Sequence, residues 1–144
     1  MNDLSLQVVS YADAEGVIRA IRHAVFQVEQ QVAADLDFDG LDETAIHLIA
    51  YWGNEPIGTA RIRYLQPHLT KIERVAVLSA YRGRGVGNAL VQQAIVFLKS
   101  QNVPEVKLNA QVQAQSFYQK LGFKPQGEVF EEASILHVEM RQKL

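Results

Sequence analysis

A glycine-rich turn, Arg82-Gly83-Arg84-Gly85-Val86-Gly87, constrains the fold more than any other segment of the chain. A strand is predicted before it at about 70–77, because β-branched and apolar residues dominate that stretch. A helix is predicted after it at about 86–102, and a short strand follows at about 106–110. Strand, turn, helix and strand form a βαβ crossover, which implies that the two strands pair in parallel.

The rest of the chain predicts hairpins and antiparallel pairing. Further strands are predicted at about 4–8, 45–52, 56–65, 123–130 and 135–140, with Gly53-Asn54 as a hairpin turn. Further helices are predicted at about 13–28, with Val25 and Val28 on its apolar stripe, and at about 113–121. The order β-α-β-β-β-α-β-α-β-β indicates an α/β fold with a mixed, mostly antiparallel central sheet of about seven strands and helices on both faces.

Composition limits the classes of function. The 144 residues are the usual size of one domain, so residues 1–144 are expected to form a single domain. A net charge of −2 argues against nucleic acid as the main partner, and no apolar run is long enough to span a membrane. The N-terminus lacks the features of a signal peptide, so a soluble, cytoplasmic protein is expected. With no Cys, the chain cannot carry an acyl group on a thiolate or build a Cys-based zinc site.

The glycine-rich turn predicts an anion site, because its backbone N–H groups are exposed at a helix N-terminus. Arg82 and Arg84 add formal charge that favours phosphate, although a plain tight turn is the simpler interpretation. Neither common nucleotide motif fits. The third glycine of a dinucleotide-binding motif would fall at Asn88, and the Gly-Lys-Ser/Thr of a P-loop is absent.

Three blocks of sequence carry a resemblance to a known family. Arg82-x-x-Gly85-x-Gly87 resembles the pyrophosphate loop of the GNAT superfamily of acyl-CoA N-acyltransferases, and the order of elements resembles that fold. The strand at 71–77 resembles the one that opens the acyl-CoA site. The downstream half of the site is matched by Leu108-Asn109-Ala110-Gln111, Ser116-Phe117-Tyr118 and Leu121-Gly122-Phe123. The flanking segments, among them His23-Ala24-Val25-Phe26 and the closing Glu132-Ala133-x-x-x-His137, resemble a bacterial branch of small GNAT proteins.

The resemblance implies an acetyl-CoA site between two splayed parallel strands. It implies that Val75, Ala76 and Val77 bind the pantetheine arm and the acetyl oxygen through their backbone. The pyrophosphate is expected on the backbone N–H groups of Arg82, Gly83, Arg84, Gly85, Val86, Gly87 and Asn88. Asn109 is expected to bond the pantetheine amide and Phe117 to pack near the arm. A side chain at Gly85 or Gly87 would crowd the phosphate or demand a positive φ.

Two residues are expected to carry the chemistry. Tyr118 matches the tyrosine that protonates the departing CoA thiolate in many GNAT enzymes, with packing over the ligand as the alternative. Glu73 matches the glutamate that deprotonates the amine, and strict alternation would place it on the same strand face as Val75. A surface ion pair is the alternative for Glu73. His47 and His137 are the other candidate bases, each also interpretable as a structural hydrogen-bonding residue.

An acidic segment, residues 29–43, contains no Lys or Arg. Asp35-x-Asp37-x-Asp39-Gly40 invites an EF-hand interpretation, but the twelfth position is Ile46 instead of the required Glu. No metal site is therefore expected. The segment is interpreted either as an acidic rim that attracts a cationic amine or as a solvated loop.

These features predict an N-acetyltransferase that moves an acetyl group from acetyl-CoA to a primary amine by direct attack in a ternary complex. A non-catalytic acyl-CoA-binding or regulatory module on the same fold is the competing hypothesis. A nucleotide-binding module is disfavoured by the missing motifs. The sequence does not identify the acceptor substrate, and a homodimer is possible on the sequence alone.

Overall fold

The computed structural model describes residues 3–144, in which the seven strands and the three longer helices follow the predicted order. The strands are β1 (Leu4–Ser10), β2 (Ile46–Trp52), β3 (Glu55–Gln66), β4 (Leu69–Val77), β5 (Glu105–Gln111), β6 (Lys124–Glu132) and β7 (Ile135–Lys143). The helices are α1 (Tyr11–Arg22), α2 (Ala34–Asp37), α3 (Val86–Ser100) and α4 (Gln115–Lys120). The short α2 falls within the acidic segment.

One seven-stranded sheet has the order β1-β2-β3-β4-β5-β7-β6. Within residues 3–144, β4 and β5 pair in parallel and all other neighbouring strands pair antiparallel. The parallel pair is the one joined through α3, as the crossover predicts. The expectation of a mixed, mostly antiparallel sheet of about seven strands is confirmed.

The parallel pair opens into a slot. β4 and β5 pair only from Leu69 opposite Glu105 to Lys71 opposite Lys107. Beyond this point β4 stays paired with β3, and β5 stays paired with β7, but the two strands no longer pair with each other. Backbone N–H and C=O groups along the slot are therefore without strand partners, and such groups need a partner when they are shielded from water.

Helices cover both faces of the sheet, as predicted. On one face α3 buries an apolar stripe that consists of Leu90, Val91, Ala94 and Leu98. On the other face α1 buries Ile18 against Ile49 and Ile21 against Ala76. α1 packs against β1 to β4, so it leaves the same face of β5, β7 and β6 uncovered. No helix among residues 3–144 is long and apolar enough to cross a membrane.

The helix predicted at 13–28 changes type part-way along. After Arg22 the chain widens into a π-helical segment, His23–Glu29. Val28, predicted to share the buried stripe with Val25, is 64% exposed, whereas Val25 is buried. Each π-helical N–H bonds five residues back, so a turn holds more residues and the stripe drifts away from the core. π-helical turns are frequent at functional sites.

A bulge in β4 breaks the alternation of its side chains. The register runs from Thr59 opposite Ala76 to Arg61 opposite Glu73. Arg74 and Val75 therefore face a single β3 residue, and Arg74 takes a φ of +55°. Because paired residues share a face, Glu73 lies on the same face as Ala76. The prediction that Glu73 shares a face with Val75 assumed strict alternation and is wrong.

Candidate functional site

Two cavities meet in the slot between β4 and β5. The turn cavity, of about 480 Å³, extends to the glycine-rich turn. The hairpin cavity, of about 350 Å³, lies between the π-helical segment, α2 and the β6–β7 hairpin. The residues that line both cavities are Gln30, Val75, Ala114 and Tyr118. Molecules bound in the two cavities would therefore approach each other beside these side chains.

The glycine-rich turn closes one end of the turn cavity. Gly83 and Gly85 have φ values of +77° and +80°, which glycine adopts without the steric cost that a Cβ brings. α3 begins at Val86, and no side chain caps its first turn. Among the described residues, the N–H groups of residues 83–88 have no hydrogen-bond partner. These free donors and the positive end of the helix dipole together make this surface suited to an anion.

The two arginines of the turn are engaged by protein groups. Arg82 forms a bidentate ion pair with Glu29, with Nη2 2.6 Å from Oε1. Arg84 lies over the rings of Trp52 and Tyr81, 5.1 Å from each centroid, and does not line the turn cavity. The aromatic contacts keep the Arg84 guanidinium out of the cavity lining, and its contribution of charge to a phosphate site stays a prediction. The backbone supplies the donors.

Gly87 lines the turn cavity beside Phe117. A Cβ on Gly87 would lie 3.6 Å from Cζ of Phe117 and 4.0 Å from Cγ2 of Val77, which is ordinary van der Waals contact. Its φ is not positive, unlike that of Gly85. The protein itself therefore accepts a methyl group at Gly87, and only a molecule bound in the cavity would be crowded by it.

Asn109 lines the hairpin cavity, close to the slot. Its Nδ2 donates to Oε2 of Glu132 at 3.2 Å. Its Oδ1 is buried without a hydrogen-bond partner in the described part of the chain. Leaving such an acceptor unpaired is costly, so this atom fits a ligand with an N–H donor, such as an amide. Its bond to a pantetheine amide stays a prediction.

Tyr118 lies where the two cavities join. Its ring packs edge-on against Phe117 and Phe123, with centroids 5.0 Å and 6.0 Å away. The phenolic O–H has no acceptor among residues 3–144. Burial raises the pKa of Tyr118 to about 12. The phenol is therefore protonated at neutral pH and available to a ligand as a hydrogen-bond donor.

Glu73 is held by several cations. Its side chain is 7% exposed, and it accepts hydrogen bonds from Arg61 and Arg63, with Nζ of Lys71 at 3.4 Å. Burial alone would raise the pKa of Glu73, but the hydrogen bonds from Arg63 and the charge of Arg61 outweigh it and lower the pKa to about 2. A carboxylate with so low a pKa is a weak base. The geometry therefore argues against Glu73 as the general base.

The acidic segment folds onto arginines. Asp37 and Asp42 are 1% and 5% exposed, and they pair with Arg22 at 3.0 Å and 2.6 Å. Asp39 and Asp42 also pair with Arg61, at 2.9 Å and 3.0 Å. Both interpretations of the segment, as an amine-attracting rim and as a solvated loop, are wrong for Asp37 and Asp42, because arginines from other elements neutralise them inside the protein. Asp39 is also paired with an arginine but stays exposed.

The two candidate histidines occupy different environments. His47 is buried, its Nε2 lies 2.9 Å from the carbonyl oxygen of Asp42, and it lines neither cavity. Burial lowers the pKa of His47, so it is a neutral structural residue. His137 is 9% exposed and lines the hairpin cavity, with Nδ1 2.7 Å from the carbonyl oxygen of Ile135. No three His, Asp or Glu side chains of residues 3–144 are grouped as metal ligands.

Sequence reasoning missed several lining residues. Gln30 and Ala114 border both cavities, and Gln111 and Glu132 border the hairpin cavity. Gln111 and Glu132 lie in segments that carry the family resemblance, 108–111 and 132–137, but no motif marks Gln30 or Ala114. The resemblance assigned no role to Gln111 or Glu132, and a sequence does not specify to the residue the β6–β7 register that positions Glu132.

Comparison with known proteins places this geometry in a family. Residues 8–144 match the acetyltransferase (GNAT) domain. The chain is 36% identical to YyaT of Bacillus subtilis strain 168 over 141 residues, 96% of this chain and 94% of that protein. An acyl-CoA N-acyltransferase from Pseudomonas aeruginosa is similar in structure, with a TM-score of 0.85, 30% identity and coverage of 96% and 99% of the two chains. A GNAT family acetyltransferase from Elizabethkingia anophelis with acetyl-CoA bound shares the fold, with a TM-score of 0.77, 17% identity and 100% coverage of both chains.

Proposed function

The chain belongs to the GNAT acetyltransferase family, and we propose that it moves an acetyl group from acetyl-CoA to a primary amine by direct attack in a ternary complex. Family membership supports acyl transfer in general. The observation that carries the finer proposal is the meeting of two cavities at Tyr118. Holding donor and acceptor with their reacting ends together removes much of the entropic barrier to a bimolecular reaction.

In this proposal acetyl-CoA occupies the turn cavity. Its pyrophosphate accepts hydrogen bonds from the N–H groups of the turn, and its pantetheine arm runs along the backbone of Val75, Ala76 and Val77. Oδ1 of Asn109 accepts from a pantetheine amide, and Phe117 packs on the arm. Three features support this placement of acetyl-CoA. They are the N–H groups of the turn that have no partner, the edge of β4 that does not pair with β5, and Oδ1 of Asn109, which has no hydrogen-bond donor among the described residues. The acetyl-CoA complex of the Elizabethkingia protein supports the choice of donor for this fold.

The proposed reaction exchanges a C–S bond for a C–N bond. The deprotonated amine nitrogen bonds to the acetyl carbonyl carbon, and the C–S bond breaks with its electron pair on sulfur, which takes up a proton. An amine that enters as an ammonium ion gives an acetamide, free CoA thiol and one released proton. Direct attack suits a chain without Cys, since no thiolate is present to hold the acetyl group in between.

Tyr118 is the proposed hydrogen-bond donor to the leaving sulfur. A hydrogen bond aimed at charge that develops in the transition state lowers the barrier to the reaction. The pKa of about 12 keeps the donor proton in place. The same pKa makes complete proton transfer to a thiolate less favourable than from an ordinary tyrosine, so stabilisation of the thiolate is the main contribution.

Replacing Tyr118 by Phe tests this role, because the ring stays and the donor is lost. With CoA thiol release measured against a panel of primary amines, we expect kcat to fall by about 10²-fold or more in Tyr118→Phe. Acetyl-CoA affinity, measured by calorimetry, should change little. Tyr64→Phe is the matched control, since Tyr64 is 48% exposed and lines neither cavity.

Two outcomes would contradict the proposal in different ways. An unchanged kcat with weaker acetyl-CoA binding would make Tyr118 a packing residue. Acetyl-CoA binding without thiol release for any amine would favour the non-catalytic acyl-CoA-binding or regulatory module.

A further inference from the structure

We propose that the hairpin cavity binds a monoamine with an apolar body, that Glu132 holds its ammonium group, and that Nε2 of His137 removes its proton. This inference rests on the proposed function and assigns the acceptor class and the base. It replaces Glu73, whose lone pairs are taken by cations.

Strand register brings Glu132 and His137 to one face of the sheet. Gln111 of β5 and Phe130 of β6 both lie opposite His137. Glu132 lies opposite Ile135, two residues before His137. Since paired residues and residues two apart share a face, Glu132 and His137 belong to the same face. This is the face that α1 leaves uncovered beyond β4.

Glu132 is complementary to a cation. Three carboxylates line the hairpin cavity, and those of Asp37 and Glu73 are paired with buried arginines. Within residues 3–144, Glu132 has no cationic group within 4.0 Å, and its one hydrogen-bond donor is the amide of Asn109. A partly buried carboxylate beside a cavity favours a bound ammonium group, which supplies both charge and N–H donors.

His137 offers a proton acceptor to the same cavity. A carbonyl oxygen can only accept a hydrogen bond, so Nδ1 of His137 must carry the proton that Ile135 accepts. Nε2 is then the nitrogen that carries the free lone pair, and no group among the described residues bonds to it. Stacking on Phe130, with centroids 5.9 Å apart, fixes the ring plane. Imidazole is the side chain that exchanges protons near neutral pH.

The rest of the cavity selects an apolar body over a second charged group. Lys71 and Arg74, the cations that line it, are already paired with Glu73 and Asp39, so neither is free for a substrate carboxylate or phosphate. Apolar side chains line much of the cavity, among them Phe26, Val32, Leu36, Ile72, Leu108 and Ile135. A cavity of about 350 Å³ lies within the range that holds small organic ligands. An alkylamine or arylalkylamine fits this lining.

The turn between β6 and β7 is strained at this point. Ala133 and Ser134 have φ values of +53° and +63°. Non-glycine residues in this conformation are strained, and they cluster at functional sites. The turn fixes the end of β6 that carries Glu132.

The test uses 2-phenylethylamine as the probe and measures CoA thiol release. We expect Glu132→Gln to raise KM for this amine by about 10- to 100-fold, because a charge-assisted hydrogen bond is lost, with little change in kcat. His137→Gln should lower kcat by about 10²- to 10⁴-fold. Added imidazole should restore part of kcat in His137→Ala, which a purely structural role would not allow. Glu131→Gln is the matched control, since Glu131 is exposed and forms no ion pair with any residue of 3–144.

A binding measurement separates this inference from the proposed function. Calorimetry of 2-phenylethylamine on the CoA-saturated protein should show binding that Glu132→Gln weakens by the same factor, whether or not turnover occurs. Absence of binding to the wild type, or equal binding to Glu132→Gln, overturns the ammonium site. Turnover of any amine with unchanged kinetics in both the Glu132 and His137 variants overturns the inference and leaves the proposed function standing.

Discussion

Replacing Glu73 by Gln separates two roles of this carboxylate, that of general base and that of centre of an ion network. The sequence predicts the base, whereas the structure makes Glu73 the common partner of Arg61, Arg63 and Lys71. Glutamine keeps the size of the side chain and removes the negative charge. The loss would leave buried Arg61 with one fewer carboxylate, which is the costly way to break a buried ion pair.

The size of the expected loss of stability follows from the pKa of Glu73. This pKa falls from an ordinary 4.5 to about 2 in the folded protein. Each pH unit of such a difference corresponds to about 1.4 kcal/mol, so the charged carboxylate contributes on the order of 3 kcal/mol to the free energy of unfolding. The pKa is depressed, so this contribution is complete above pH 4.5 and is lost as the pH falls through 2.

Urea unfolding of wild type and Glu73→Gln over the acidic to neutral range measures this contribution. The variant should be less stable by about 3 kcal/mol at about pH 7, and the difference should shrink steadily below the ordinary pKa of 4.5. The other carboxylates titrate in both proteins, so their contribution cancels in the difference between the two free energies of unfolding. The control Glu131→Gln should stay within about 0.5 kcal/mol of wild type throughout.

A variant that keeps its stability but loses activity would refute the assignment of Glu73 to the ion network. Equal stability of wild type and Glu73→Gln, together with a loss of kcat and of the acidic limb of the pH–rate profile, would restore the role of Glu73 as base. It would also remove the need for His137.

The remaining predictions concern the turn, the ion network and the β6–β7 hairpin. Gly87→Ala should unfold at the wild-type temperature or above it, but it should lose most of the thermal stabilisation that acetyl-CoA gives by mass action. The control Gly16→Ala in α1 should keep that stabilisation. Equal acetyl-CoA-induced shifts of the unfolding temperature in Gly87→Ala and wild type, measured by calorimetry, would exclude the turn as the phosphate site. Arg61→Met should lower the free energy of unfolding by about 3–5 kcal/mol, and a urea-unfolding change under about 1 kcal/mol would mean that the network contributes little. Ala133→Gly should stabilise the protein slightly, by about 0.5–1 kcal/mol in the same urea measurement, unless the positive φ there is unstrained.

Local sequence determined the order of the elements and the glycine-rich turn before α3. Side-chain periodicity, the Gly53-Asn54 hairpin and the glycines before α3 act over a few residues, so they are readable without a fold. The splayed parallel pair also followed, once the family resemblance was added to the crossover. The π-helical segment did not follow, because its residues have no distinctive pattern and tertiary packing decides its wider turn.

Only the tertiary structure decided which charges meet. Asp37 and Asp42 lie far along the chain from Arg22 and Arg61, and nothing local distinguishes a solvated carboxylate from a neutralised one. A single bulge at Arg74 was enough to move Glu73 to the other face of β4 from Val75.

The candidate acceptor site depends on the same kind of non-local information. Glu132 and His137 are separated by a turn in sequence and share a face only because of the β6–β7 register. The cations and the water around a carboxylate decide whether it forms a structural ion pair, acts as a base or binds an ammonium group. Those surroundings come from distant parts of the chain, so the residue type alone does not determine the role.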